Sequence, residues 1–335
     1  MIRTVLFIAV LIALLTVASI VLITQPFVSP IQSQSPEVDS ARLEAHVRRL
    51  SVDFYPRSYD RFKNIKLAAE YIHDEFKTAG AEVTFQDVVV QEATYRNIIA
   101  RFGPKSGPLL VIGAHYDSYG DANTETRDPR GYSLGTHTPG ADDNASGVAG
   151  LLELSRLLGR KDQTRSIELV AYTLEEPPHF RTEHMGSVWH ARSLAKAKRD
   201  VQLMLSLEMI GYFTDEPGGQ RYPVPGMAHL YSDRGDFITL VGKLSDLNAM
   251  RKAKALMAGA TDLPVYSINA PPLLQGIDFS DHRSYWVENF TALMVTDTAF
   301  FRNGNYHQAG DTYEKLDYRR MAKVVQSVYA LTQGY

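Results

Sequence analysis

Cysteine is missing from all 335 residues. Its absence excludes disulfide staples, thiolate metal sites and a cysteine nucleophile in one step. Any metal must therefore rest on histidine, aspartate and glutamate, the hard and borderline ligands. An excess of one charge is missing too: 35 Lys+Arg stand against 38 Asp+Glu, a formal net charge of −3. That balance gives no electrostatic reason to expect nucleic acid as a partner. There is no internal repeat and no low-complexity tract, and no segment is polar enough for extensive disorder. With 44% hydrophobic residues the material for a packed core is ample.

One stretch differs in kind from the rest. From Val5 to Ile23 the chain reads VLFIAVLIALLTVASIVLI, uncharged, with Arg3 just before it. About nineteen such residues are enough to cross roughly 30 Å of hydrocarbon as a helix. The run ends in Thr24-Gln25-Pro26-Phe27, which lacks the small-x-small signature of a cleavage site. Residues 1–28 are thus read as an uncleaved signal anchor, Arg3 favouring an N-in orientation with the remainder on the extracytoplasmic side. A cleaved signal peptide, giving a secreted protein, is the alternative. Residues 29–38 read as a polar linker and 39–335 as one globular domain.

Within that domain the hydrophobic period switches between 3.6 and 2. Helices are predicted over 39–50, 60–79, 144–158, 186–196 and 316–331. Strands are predicted over 83–90, 95–102, 109–113, 167–172, 201–207, 230–232, 265–268 and 291–295. Several of these strands are continuous apolar runs, as expected for strands buried on both faces. Strands alternating with helices predict an α/β fold, a three-layer sandwich with a central, mostly parallel mixed sheet, preceded by the N-terminal transmembrane helix.

Ionisable residues stand where these buried strands end. His115 follows LLVIGA, Glu175 and Glu176 follow IELVAYTL, and Glu208 ends LMLSL. Asp142 and Asp143 precede a helix, and His307 follows the last predicted strand. Open α/β sheets bind ligands outside the carboxyl ends of their strands. A lone His or Glu there is more often structural; five such positions together point to a metal site without thiols.

The segments GAHYDS (113–118), PGADDNASGVAGLLEL (139–154), LEE (174–176), LEMIGY (207–212), SDH (280–282) and YHQAGDTYEKLD (306–317) carry a resemblance. In order, from Asp60 to Leu331, they are similar to the M28 family of co-catalytic zinc peptidases, whose relatives include aminopeptidases, glutaminyl cyclases and glutamate carboxypeptidases. The resemblance implies two Zn2+ ions held by His115, Asp142, Glu176, Glu208 and His307, with Asp142 bridging. It implies that Asp117 orients the His115 ring. Glu175 becomes the general base that takes a proton from a metal-bridging water and passes it to the leaving amine. Glu208 departs from several aminopeptidases of the family, which carry Asp there. Asp281 either joins a network with Glu175 or caps a helix together with Ser280. Asp143 and Asn144 read as helix-capping residues, and His179 and His184 as loop histidines at the rim of the cleft.

The function so implied is that of a metallo-aminopeptidase, a zinc exopeptidase acting on the N-terminal residues of peptides. Two alternatives stand beside it: a glutaminyl cyclase-type acyltransferase on the same scaffold, and a catalytically inactive, membrane-tethered binding domain. The expected partners are a peptide substrate and the membrane.

Overall fold

The computed structural model describes residues 2–120, 137–224 and 226–335. Most of the loop expected between Tyr119 and Pro139, with Arg127 and Arg130 read as solvated charges, lies outside the described residues. Eight strands form one mixed sheet: β1 (Glu82–Val90), β2 (Ala93–Phe102), β3 (Leu109–His115), β4 (Ser166–Tyr172), β5 (Val201–Glu208), β6 (Ile238–Gly242), β7 (Val265–Asn269) and β8 (Ala292–Thr296). Their order is β1-β2-β4-β3-β5-β8-β6-β7. The centre, β4-β3-β5-β8, is parallel. β1 and β2 pair antiparallel at one edge, and β6 runs antiparallel to β8 before pairing parallel with β7 at the other.

Alternation decides which side chains meet which layer. Leu110 and Ile112 of β3 join the larger core with α3 (Phe62–Thr78), α4 (Gly147–Leu158) and α8 (Tyr318–Gly334), while Leu109 and Val111 face the smaller core. That second core is closed by α5 (Gly186–Lys196) and α7 (His282–Val287) through Ala191, Leu194 and Tyr285. A sheet packed on both faces is the three-layer α/β sandwich that the apolar runs predict.

The structure departs from the sequence reading between Phe213 and Asp281. Residues 230–232 form no strand; Tyr231 spends its hydroxyl on the Ser267 carbonyl at 2.8 Å. The strand in this region is β6, and the helix α6 (Leu247–Ala258), which the sequence reading leaves out, covers it.

At the N-terminus, α1 (Ile2–Thr24) holds a 22-residue apolar span, Arg3–Thr24, long enough to cross a membrane and exposed over most of its length. Its last turn is different: Thr24 and Gln25 are buried. Lys254 donates to the carbonyls of Thr24 (3.2 Å) and Gln25 (2.9 Å), and Ser267 Oγ to that of Thr24 (2.8 Å). The residues read as a polar linker are bonded to the domain as well. Ile31 N–H donates to Ala255 O, Ser33 N–H to Gly259 O and Ser35 Oγ to Gln326 O.

Candidate active site

The carboxyl ends of β3, β4 and β5 deliver His115, Glu175 with Glu176, and Glu208 to one end of the sheet. The segment 141–146 delivers an aspartate, but not the one the sequence favours. Backbone angles leave the helical range at Asp143 (φ −103°, ψ 90°) and Asn144 (φ −131°, ψ 41°). Consecutive carboxylates are thereby sent in different directions. Asp142 accepts from Gly211 N–H (3.0 Å) and Asn303 Nδ2 (2.9 Å), away from both histidines. Asp143 lies between them: Oδ1 is 3.3 Å from His115 Nε2, and Oδ2 is 3.1 Å from His307 Nε2. Asp143, and not Asp142, therefore stands between the two histidines.

Each histidine has its own glutamate. His115 Nε2 is 3.4 Å from Glu208 Oε2, and His307 Nε2 is 3.2 Å from Glu176 Oε2. The result is two triads sharing Asp143, namely His115–Asp143–Glu208 and Asp143–Glu176–His307, each with ligand atoms within 4.8 Å of one another. Glu175 joins neither triad; its Oε2 is 3.9 Å from His115 Nε2.

Four carboxylates and two imidazoles are buried here together. Burying that much negative charge is costly unless cations compensate it. The titration behaviour shows the strain. Burial pushes Glu175 well above the usual carboxylate range, and Glu176 up to about 7. For His307, burial is outweighed by Glu176 and Asp143, which raise the imidazolium to about 10. His115 Nε2, which faces Asp143 and Glu208, is buried with no hydrogen-bond partner among the described residues. Buried imidazole and carboxylate donors in two triads with a shared carboxylate fit divalent ions of the zinc class.

Further residues fix these groups in place. Asp117 accepts the backbone N–H groups of Glu175 (3.2 Å) and Glu176 (3.0 Å), and its carbonyl lies 3.1 Å from His115 Nδ1. Asn144 donates to Leu207 O (2.8 Å) and accepts Met209 N–H (3.1 Å), clamping the strand end on both sides of Glu208. It also accepts Gly147 N–H at 3.1 Å, the capping bond expected of it. A Cβ on Gly147 would sit 2.6 Å from Leu207 O, so this close approach needs glycine. Ser280 Oγ donates to Glu208 Oε2 at 2.7 Å. Leu174, Met209 and His307 adopt left-handed backbone (φ 60°, 51° and 53°), each within one residue of a triad member or of Glu175. Such non-glycine strain, roughly 1 kcal/mol or more per residue, concentrates at functional sites.

Asp281 does not cap α7 with its side chain. Its carboxylate is fully buried, which pushes it up to about 7. His179 and His184 pack edge to face at 5.7 Å and belong to neither triad. Sequence reasoning gave no role to Asp311, though it lies in the quoted YHQAGDTYEKLD segment. Its carboxylate accepts the N–H groups of Asp142 (3.0 Å) and Asp143 (3.1 Å).

Beside Glu208 opens a pocket of about 800 Å3 including its mouth, walled by rings and aliphatic chains such as Tyr222, Phe237, Met294, Phe279 and Phe300. Its position and apolar lining suit the side chain of a bound molecule.

The sequence profile of Peptidase family M28 matches residues 97–332. The chain belongs to peptidase family M28. It is 50% identical over 307 residues to the uncharacterised protein YfbL of Escherichia coli K12, covering 92% of each chain. Among solved structures it resembles a leucine aminopeptidase precursor from Bacteroides thetaiotaomicron (TM-score 0.65, 19% identity, 91% of this chain and 100% of that one). It resembles equally a glutaminyl cyclase of the same organism bound to N-acetylhistamine (TM-score 0.64, 19% identity, 90% of this chain and 99% of that one). At such identities the likeness is one of fold, shared by hydrolase and cyclase alike.

Proposed function

We propose that this M28 chain is a zinc-dependent aminopeptidase, held at the extracytoplasmic face of a membrane by α1, that removes apolar residues from peptide N-termini. The observation that carries the reading is Asp143 standing between His115 and His307, each with its own glutamate. His115, Asp143 and Glu208 would hold one ion, and Asp143, Glu176 and His307 a second. Bound there, zinc supplies Lewis acidity, polarising a carbonyl and acidifying water.

The rest is done by the chain's own groups. Glu175, outside both triads yet 3.9 Å from His115 Nε2, takes the proton of the attacking water on its carboxylate and returns it to the leaving amine nitrogen. Asp117, bonded to the Glu175 and Glu176 amides, holds base and ligand in register. The pocket beside Glu208 receives an aromatic or long aliphatic first side chain, and its walls exclude water from it.

The test is zinc per chain on the detergent-solubilised full chain, alongside turnover of leucyl, phenylalanyl, alanyl and glutamyl amides and of a peptide with N-terminal glutamine. Two zinc ions with preferential release of leucine and phenylalanine are expected. Cyclisation of the glutamine peptide without amide hydrolysis would move the chain to the cyclase class. No bound zinc and no turnover would leave an inactive binding domain.

A further inference from the structure

The end of α1 is not a free tether, and the surface around it is apolar. Gln25 Nε2 donates to Leu247 O at 3.0 Å and to Asn269 Oδ1 at 3.3 Å. Asn269 Nδ2 in turn donates to Lys243 O at 2.8 Å, and the Lys243 ammonium lies 5.7 Å from the Trp286 ring centre. Four large apolar side chains project into solvent around this chain of contacts. Phe27 (82% exposed) is two residues beyond Gln25, and Leu244 (45%) is one residue beyond Lys243. Val287 (65%) follows Trp286. Leu273 (96%) rides the turn closed by Leu274 N–H on Pro271 O, four residues beyond Asn269. Exposed apolar residues scattered singly need no explanation, but a set gathered at the exit of an apolar helix does.

We infer that Phe27, Leu244, Leu273 and Val287 form a membrane seat: the domain rests on the bilayer by this face, with α1 locked to it instead of hinged. The occupant is a lipid surface because α1, an apolar helix exposed over most of its length, would enter hydrocarbon beside the contacts that these residues flank. The lock is polar and buried. Lys254, 7% exposed, donates to the Thr24 and Gln25 carbonyls at the helix C-terminus, where both the orphan carbonyls and the dipole favour a cation. The segment from Ile31 to Ser35 then runs along α6 and α8 by further hydrogen bonds, so no free spacer separates helix from domain. The inference rests on α1 lying in a membrane and is independent of the chemistry proposed for the zinc centre.

The test uses the absence of cysteine. Single-cysteine variants F27C, L244C, L273C and V287C of the full chain are spin-labelled and reconstituted in anionic phospholipid vesicles. Val10→Cys within α1 serves as a depth reference, and Asp74→Cys and Glu183→Cys serve as exposed controls. Accessibility to oxygen and to a water-soluble nickel chelate is read by electron paramagnetic resonance. Labels at 27, 244, 273 and 287 are expected to favour oxygen over nickel several-fold relative to positions 74 and 183. If position 10 shows bilayer depth while 244, 273 and 287 match the controls, the domain stands off the surface and the seat is refuted. If position 10 is also water-like, α1 is not in the bilayer, and the seat falls with it. Turnover of each labelled variant is measured in parallel, so failure of the zinc-centre reading is seen separately.

Discussion

Asp311 accepts the backbone N–H of Asp143 through Oδ2 at 3.1 Å, and through Oδ1 it takes the preceding amide of Asp142 at 3.0 Å. One carboxylate thus holds the kink that sends Asp143, and not its neighbour, between the two histidines. Asp311→Asn keeps the shape but replaces an accepting oxygen with an amide NH2, leaving one backbone N–H without an acceptor. We expect metal affinity to fall roughly 10–100-fold, the range for losing a group that orients a ligand. Zinc competition with a coloured chelator reads this; unchanged affinity would remove Asp311 from the account.

The two neighbouring aspartates should respond differently. Asp143→Ala takes a donor from both triads, and the purified variant should carry little or no zinc and show no turnover above background. Asp142→Asn retains an oxygen able to accept Gly211 N–H and should keep nearly its full zinc content. Metal analysis of both proteins decides the matter, since full loading of the Asp143 variant contradicts a shared ligand.

Glu175→Gln preserves side-chain volume but cannot carry a proton. Zinc content should be unchanged while kcat falls roughly 100-fold or more. A variant that turns over normally would rule Glu175 out as the base.

Leu274 lines the pocket from the loop after β7, where a larger side chain does not disturb the sheet. Leu274→Trp should raise KM for phenylalanyl amide about 10-fold or more and leave alanyl amide nearly unaffected, since filling a pocket costs about 1–3 kcal/mol for the side chain it excludes. Equal effects on both substrates would place the first side chain elsewhere.

Away from the metal centre, Glu153 of α4 is fully buried between Arg42 (2.7 Å), Arg156 (2.7 Å) and His46 (3.5 Å). Burial alone would raise its carboxyl; His46, Arg156 and Arg42 outweigh burial and bring it down to about 2. A folded-state value below the unfolded one stabilises the protein above the unfolded pKa, and that stability is lost as pH falls toward 2. Glu153→Gln should therefore be less stable than the parent by about 2 kcal/mol at pH 7, with the gap narrowing between pH 4.5 and 2. Denaturant titration of both proteins across that range checks it; a gap independent of pH would mean that the ion cluster contributes nothing.

The centre of the sheet was legible because buried strands read as unbroken apolar runs, so an ionisable residue at their end stands out: His115, Glu175, Glu176 and Glu208 stand out in this way, and the fold brings them to one end of the sheet. The choice between Asp142 and Asp143 was not legible. Adjacent residues of one type differ only in backbone direction, and the kink at 143–144 is imposed by Asp311 and by Asn144 reaching the end of β5, contacts made across 168 and 63 residues of chain. The docking of residues 29–38 was hidden for another reason. Ser, Gln and Pro suggest a linker, whereas the bonds that fix Ile31 and Ser33 come from main-chain groups common to every residue. Leu230–Ser232 was misread as a strand because an aromatic hydroxyl tied to a distant carbonyl looks, in sequence, like a β-forming tyrosine.

The reversal between β8 and β6 also sets a height. Glu208, Thr296 and Thr239 are neighbours at one end of the sheet, while Asn269, which receives the end of α1, is paired with Gly242 at the other. Three residues of β6 separate the two levels, roughly 10 Å at about 3.3 Å per residue, before any loop is added. If the domain sits on the bilayer by the proposed seat with its strands upright, a peptide rooted in the same bilayer would extend about three or four residues clear of the lipid before its first amide reaches the glutamates. On the proposed seat, an aminopeptidase would spare short stubs at the surface and trim chains that stand taller than its own sheet.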